Sequence, residues 1–303
     1  MSVGRYEGLA EEFSDVQNEY KKRSQFRAIA RRFARNKTAR IGLVVMLIIL
    51  VAIFSADLYL NYQADAIYQN MSIRLSGPSK EHWFGTDYYG RDLFARIIYG
   101  GRISLLTALC VIAASTTLGC IIGAAAAYYG SRTDNIIMRV NDVFYAIPET
   151  LLAVCIVAAL GGGMFNLGIA CILTVTPGSI RLFRSWVAPL KEQDFVEAAR
   201  ACGTSNWRIL KRHIIPNTLG PIIVHATLHL AYTIIAVAGL SYIGLGVQSP
   251  TPEWGAMLSE AREYMRDYPY LVIVPGLAIL ISTLSLNMIG DGLRDALDPK
   301  LKH

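Results

Sequence analysis

The stretch Asp194-Phe195-Val196-Glu197-Ala198-Ala199-Arg200-Ala201-Cys202-Gly203, continued from Thr204 to Ile215-Pro216, is a basic segment between two long apolar runs. Asp194 is a good helix N-cap, and Glu197 three positions later can reach back to it as a variant of the capping box. The spacing predicts a short helix over 195–202, with Ala198 and Ala199 giving it a narrow face. Gly203 stands where a helix stop favours a left-handed residue. Thr204 or Ser205 is placed to cap a second helix on which Trp207, Leu210 and Ile214 share one face, and Pro216 is expected to end it. The expectation is two short helices at an angle, projecting from between two spans. An Asp-x-x-Glu followed by a helix-stop glycine is common in helical proteins, so its meaning depends on what surrounds it.

Those surroundings are apolar. Hydrophobic residues make up 53% of the 303-residue chain, and this would leave a soluble helical domain short of polar residues to cover its surface. A bilayer core demands runs of about 20 apolar residues, each about 30 Å long as a helix. Six such runs are present: Ile41–Leu60, Leu105–Tyr129, Ile136–Leu160, Phe165–Val187, Leu219–Val247 and Tyr270–Ile289. Gly, Pro and Ser within them are ordinary in a membrane bundle. The expected fold class is an all-α membrane protein with six transmembrane helices. Residues 1–40 read as a cytoplasmic tail carrying a basic amphipathic helix, 41–60 as the first transmembrane helix and 61–102 as an external loop. Residues 103–291 read as one five-span bundle, and 292–303 as a cytoplasmic tail.

An even number of spans places both termini on one side. With the N-terminus in the cytoplasm, 22 of the 29 Lys and Arg fall inside and 7 outside, and the reverse orientation would invert the positive-inside bias. The net charge of +6 therefore reports orientation and contact with anionic membrane lipid, not nucleic acid. Residues 1–25 are charged and poor in apolar periodicity. Phe26, Ile29 and Phe33 then recur at helical spacing among Arg27, Arg31, Arg32 and Arg35, as in a short basic helix lying on the inner membrane face; a plain topogenic charge cluster is the competing reading. The polar head ahead of the first apolar run reads as preceding a signal anchor, not a cleavable signal peptide. Cys110, Cys120, Cys155 and Cys171 lie within spans and Cys202 lies in the basic segment; no CxxC pair points to a disulfide framework or a zinc site.

Two outer segments are distinctive. Within 61–102, His82-Trp83-Phe84-Gly85-Thr86-Asp87-Tyr88-Tyr89-Gly90-Arg91-Asp92 sets turn residues among aromatics. Gln248–Tyr268 carries Pro250 and Pro252, then a short amphipathic helix expected from Glu253 to Asp267.

Glu197-Ala198-Ala199, Gly203 and Pro216 resemble the EAA loop of the membrane subunits of bacterial ABC importers. That pattern runs Glu-Ala-Ala, three residues, Gly, nine residues, Ile, one residue, Leu, Pro; here His213 stands at its Ile and Ile215 at its Leu. The His-x-Phe-Gly-Thr-Asp-x-x-Gly-Arg-Asp string is similar to the peptide and nickel branch. So are Gly239-Leu240-Ser241-Tyr242-Ile243-Gly244-Leu245-Gly246, Pro252-x-Trp254-Gly255 and Gly290-Asp291-Gly292-Leu293-Arg294-Asp295-Ala296-Leu297-Asp298-Pro299, all in the manner of the second, C-type permease. The likeness runs from about residue 26 onward. It implies a type I, MetI-like transmembrane domain at 103–291 with its EAA loop at about 190–216. It implies a multi-pass permease subunit of a bacterial inner membrane, paired with a second homologous permease. Two cytoplasmic ATP-binding subunits would dock at the EAA loops, and an external solute-binding protein would deliver cargo. The Gly203 turn would sit in a cleft of the ATPase, with Glu197 making a polar contact there. The implied cargo is short peptides, with nickel or a metal chelate as the alternative.

No Gly-x4-Gly-Lys-Ser/Thr occurs in the chain, so ATP is expected to be bound and hydrolysed by partners, with no cofactor of its own. Gly161-Gly162-Gly163 reads as a tight outer turn. No nucleophile–base grouping stands outside the spans, so the chain reads as a transport subunit and not an enzyme. Asp142 and Glu149 are seven residues apart in the third span, nearly on one helical face; a proton relay competes with structural pairing eased by a kink at Pro148, and no second acidic span completes a relay. His225 and His229 are one helical turn apart, a spacing that suits a metal, but no Cys or carboxylate nearby completes the set. The rival readings are an ion-coupled carrier built on Asp142 and Glu149, and a non-transporting scaffold.

Overall fold

The structure, a computed structural model, describes residues 27–297. The tail 1–25, Phe26 of the basic helix and the closing Asp298-Pro299 lie outside the described residues. The chain is mostly helical: α1 (residues 27–35), α2 (Lys37–Phe54), α3 (Leu93–Tyr129), α4 (Ser131–Tyr145), α5 (Glu149–Leu160), α6 (Met164–Leu190), α7 (Asp194–Ala201), α8 (Asn206–Ile209), α9 (Ile215–Tyr242), α10 (Trp254–Ala261) and α11 (Tyr270–Leu297). Among the described residues five helices are long and apolar enough to cross a membrane, and the pair α4–α5 makes a sixth if it is counted as one bent span.

α1 keeps Ile29 and Phe33 half-buried while Arg27, Arg31, Arg32 and Arg35 are exposed, the amphipathic pattern its sequence predicts. Asn36 breaks it from α2 by accepting from the Ala39 backbone N–H at 3.2 Å, and donates to Asp295 of α11 at 3.1 Å. The two ends of the described chain therefore share one end of the bundle. α2 stops at Phe54, short of the expected Leu60. Beyond it Asp57 pairs with Arg102 at 2.9 Å and accepts from the Tyr99 hydroxyl at 3.0 Å, which ties the segment after α2 to α3.

α3 starts earlier than its hydropathy suggests, inside the stretch 61–102 expected as loop. Asp92 caps it, accepting from the Ala95 N–H at 2.7 Å. Its first turns are buried because the outer segments fold over them. Asp87 accepts from the backbone N–H groups of Tyr89 and Arg91 and from Arg91 Nε at 2.6 Å; Arg91 and Arg96 both donate to Glu260 of α10, at 2.9 and 3.1 Å. Arg96 also donates to the carbonyls of Ala66 and Pro250. Two guanidinium groups and two carboxylates thus cancel inside the protein, the condition for burying such charges at all. Tyr88 is drawn into the same cluster, and burial together with Glu260 pushes its hydroxyl above the usual phenol range. Trp254, buried at the start of α10, donates to the Ile97 carbonyl at 2.9 Å and fixes α10 across α3. α10 ends at Ala261, six residues before the expected Asp267.

The bundle core is the crossing of α3 and α6. Gly119 and Gly123, one turn apart on α3, meet α6 so closely that a Cβ at Gly119 would lie 2.4 Å from the Ser179 Cβ, and one at Gly123 would lie 2.5 Å from the Ile180 carbonyl oxygen. Small residues at this spacing let two helix backbones touch where lipid supplies no hydrophobic drive. α9 packs on both α3 and α11, and α2 closes the outside of α11.

The third span is not one kinked helix. α4 and α5 meet at 84°, with Pro148 extended (φ −53, ψ 130) between them. A proline excludes the helical basin from the residue before it and removes a helix donor, so Ile147-Pro148 breaks the run outright. α4 is instead held against α6 by Asp134–Arg184, doubly hydrogen-bonded at 2.5 and 2.6 Å, by Asp142–Arg181 at 2.7 Å, and by Asn141 donating to the Pro177 carbonyl.

Candidate functional site

The EAA-like segment lies at the end of the bundle where α3 and α6 finish. α7 begins at Asp194 with Gln193 as its N-cap, and no side chain closes a capping bond there. The expected Asp194 cap and Glu197 capping box are therefore not formed; both carboxylates sit in the first turn, where they complement the positive end of the helix. Val196 is fully buried and Phe195 and Ala199 half-buried, so one side of α7 is committed to packing. The helix ends as predicted at Gly203, whose φ of +74° is the left-handed conformation. Gly203 N donates to Arg200 O at 2.9 Å and Thr204 N to Ala199 O at 3.1 Å, the paired bonds of a Schellman stop.

The second helix departs from expectation in two ways. After α8 the turn Leu210–Ile214 widens into π geometry and runs directly into α9, making one element from Asn206 to Tyr242. Pro216 does not end it but stands in the first turn of α9, where the missing N–H is tolerated and the wider turn ahead relieves the ring's clash with the preceding carbonyl. The extra residue also shifts the helical faces. Ile209, Leu210 and Ile214 are buried, while Trp207, expected beside Leu210 and Ile214, is 61% exposed.

The inner face of the loop is locked to the bundle. Val196, Ile209, Leu210 and Ile214 pack with Ala124, Ala127 and Tyr128 of α3 and Val187 of α6. The Tyr128 hydroxyl donates to Asn206 Oδ1 at 2.8 Å, and Arg200 lies 5.3 Å over the Tyr128 ring. The opposite face is open: Glu197, Ala198, Gly203 and Pro216 are exposed. A Cβ at Gly203 would meet nothing within 4 Å. Beside them Trp207, Arg208, Lys211, Arg212 and Pro216 line a basic groove.

The intramembrane candidates separate. Asp142 and Glu149 lie on different helices across the 84° break and do not share a face; Asp142 is taken up by Arg181, while among the described residues Glu149 has only the Tyr232 hydroxyl, at 3.4 Å. His225 and His229 do meet, with ring centroids 4.0 Å apart. Among the described residues no third metal-ligating side chain joins them. Tyr232 and Arg181 escaped the sequence reading, as did the Asp87–Arg91–Arg96–Glu260 cluster. The outer string hinted at that cluster, but its partner Glu260 is remote in the chain.

Residues 115–303 match the family model of the binding-protein-dependent transport system inner membrane component. Residues 24–78 match that of the N-terminal TM domain of oligopeptide transport permease C. The chain is 45% identical over 287 residues to the dipeptide transport system permease protein DppC of Alkalihalophilus pseudofirmus, covering 94% of this chain and 93% of that one. It is 43% identical over 281 residues to the glutathione transport system permease protein GsiD of Pectobacterium atrosepticum, covering 92% and 93%. In fold it is similar to a chain of the MetNI methionine ABC transporter in an inward-facing conformation, with a TM-score of 0.56 at 15% identity over 67% of this chain and 96% of that one.

Proposed function

The chain belongs to the family of binding-protein-dependent transport system inner membrane components, and from that premise we propose that it forms half of the translocation pathway of an ATP-driven importer for short peptides. A second, homologous permease completes the pathway. Two ATP-binding subunits dock on the EAA loops from the cytoplasm, and an external solute-binding protein hands over cargo. Nucleotide is bound and hydrolysed by those partners. The chain sits in a bacterial inner membrane with both termini inside. Two named relatives, a dipeptide and a glutathione permease, both concern short peptides and support that cargo class.

One observation carries the coupling role. The loop 194–216 has one face locked on α3 and α6 and the other face, with Glu197, Ala198 and Gly203, fully presented. A segment that only connected two spans would have no reason for so rigid a footing. A rigid footing is what a lever needs, since movement of the docked ATPase then passes to the bundle instead of being absorbed.

Glu197→Lys should abolish ATP-coupled peptide uptake by the reconstituted importer while leaving the amount of chain inserted in membranes unchanged. Cysteines placed at Ala198 or Gly203 should crosslink to the ATP-binding subunit. Normal uptake by Glu197→Lys, together with no crosslink at either position, would refute the reading.

A further inference from the structure

A cavity of about 570 Å³ opens between the α4–α5 elbow, α6 and α9. Its walls are largely apolar, and Glu149, Arg181, His225, His229 and Tyr232 break the apolar surface. Its depth follows from the helices that frame it. At about 1.5 Å per residue, Glu149 lies about 17 Å below Leu160, the last residue of α5, and Tyr232 about 15 Å below Tyr242, the last of α9. Both side chains thus stand about half the thickness of a 30 Å core in from the last residue of their helix.

The charges that line the cavity do not balance. Arg181 is already engaged by Asp142 at 2.7 Å. Glu149 is half-buried with one long contact to Tyr232. His225, 7% exposed, lines the same cavity, and its Nδ1 has no hydrogen-bond partner. An ionisable group inside a membrane protein is expensive and is kept where it meets a partner or a pathway. The cavity therefore carries an unpaired carboxylate and an unsatisfied imidazole in a space that holds a small polar guest.

We propose that this cavity is a cargo contact site in which Glu149 receives the terminal ammonium group of a short peptide, with Tyr232 and the His225–His229 pair supplying further polar contacts. The assignment rests on the peptide-importer reading above. It makes Glu149 a specificity-determining residue within the pathway, separate from the selection made by the binding protein. Glu149 also stands in the first turn of α5, where a carboxylate suits the helix's positive end. That role cannot tell an ammonium from an acetyl group, so the test must.

The test is equilibrium dialysis of radiolabelled dialanine and N-acetyl-dialanine against the solubilised permease–ATPase assembly without binding protein, alongside dialanine uptake by the complete importer in proteoliposomes. The wild type should bind dialanine about tenfold or more tightly than its acetylated form, as a charge-assisted hydrogen bond allows. Glu149→Gln should lose that preference, and Glu149→Asp should keep part of it. A preference undiminished in Glu149→Gln overturns the site. So does the absence of any preference in a wild type that takes up dialanine normally. A wild-type importer that takes up neither dialanine nor glutathione overturns the peptide reading, and the site with it; one that takes up glutathione alone is tested in the same way with glutathione and its N-acetyl form.

Discussion

Gly203 separates two contributions that are usually confounded in a coupling loop. Its φ of +74° is a conformation in which a side chain costs about 1–2 kcal/mol, a five- to thirtyfold shift against the native turn. That cost is nearly the same for any residue that has a Cβ without a branch at it. Nothing within 4 Å would meet that Cβ, so within this chain leucine should be no worse than alanine. The purified permease carrying Gly203→Ala and Gly203→Leu should therefore unfold at temperatures close to each other and only slightly below the wild type. If an ATP-binding subunit covers the turn, the two variants part company in the assembled importer: Gly203→Ala should keep measurable uptake and peptide-stimulated ATP hydrolysis, while Gly203→Leu, filling a space the partner needs, should lose both. Gly203→Asn, which tolerates the left-handed region, should be the mildest of the three. Equal uptake by the alanine and leucine variants would show that the exposed side of the turn faces water throughout the cycle, and the docking argument would fail.

Arg91→Met leaves Asp87 and Glu260 with Arg96 alone in a buried cluster. Stranding a charge of that kind costs about 3–5 kcal/mol, so the variant should accumulate poorly in membranes and be cut by external protease in residues 61–92. Gly119→Ala should destabilise the α3–α6 crossing by about 1–3 kcal/mol, seen as a lower aggregation temperature in detergent, because its new methyl would lie 2.4 Å from the Ser179 Cβ. Gly168→Ala and Gly276→Ala, where nothing lies within 4 Å, should leave that temperature unchanged or raise it; equal losses at all three glycines would refute the close-approach argument.

What could be read from the residues was whatever local chemistry controls. The long apolar runs and the Gly203 stop are properties of a few adjacent residues, and both stand in the structure. What could not be read depends on distant partners or on a change of helical pitch. Leu93 starts a helix inside an expected loop because Trp254, Glu260 and Pro250, remote in the chain, supply the burial and the acceptors its first turns need. A period of 3.6 puts Trp207 on one face with Leu210 and Ile214, and that grouping fails once Leu210–Ile214 adopts π geometry. Pro148 and Pro216 look alike in sequence and act oppositely. Pro148 follows fifteen residues of α4 that ion pairs bind sideways to α6, so the chain breaks there; Pro216 follows a widened turn whose slack absorbs it, so the helix goes on.

The continuity past Pro216 has a mechanical consequence. One helical element, Asn206 to Tyr242, carries Trp207 and the end of the coupling loop at one extremity and His225, His229 and Tyr232 of the cavity farther along. Over 25 residues from Trp207 to Tyr232 the separation is about 37 Å, which one continuous helical element spans with the π turn at Leu210–Ile214 and Pro221 inside it. Had Pro216 ended the loop helix, as its residue type suggests, a swivel would lie between the two. With the helix unbroken, a displacement imposed at the loop moves the cavity wall on α9. Glu149 and Leu152 stand on α5, which is tied to α6, so they do not follow directly. The contact between Tyr232 and Glu149, at 3.4 Å and bridging those two bodies, is then the place where such a displacement must first be felt. Spin labels at Leu151 of α5 and Ile235 of α9, both exposed and outside the cavity lining, should therefore change their separation between the nucleotide-free and the ATP-trapped importer; an unchanged separation would mean that α5 and α9 move as one.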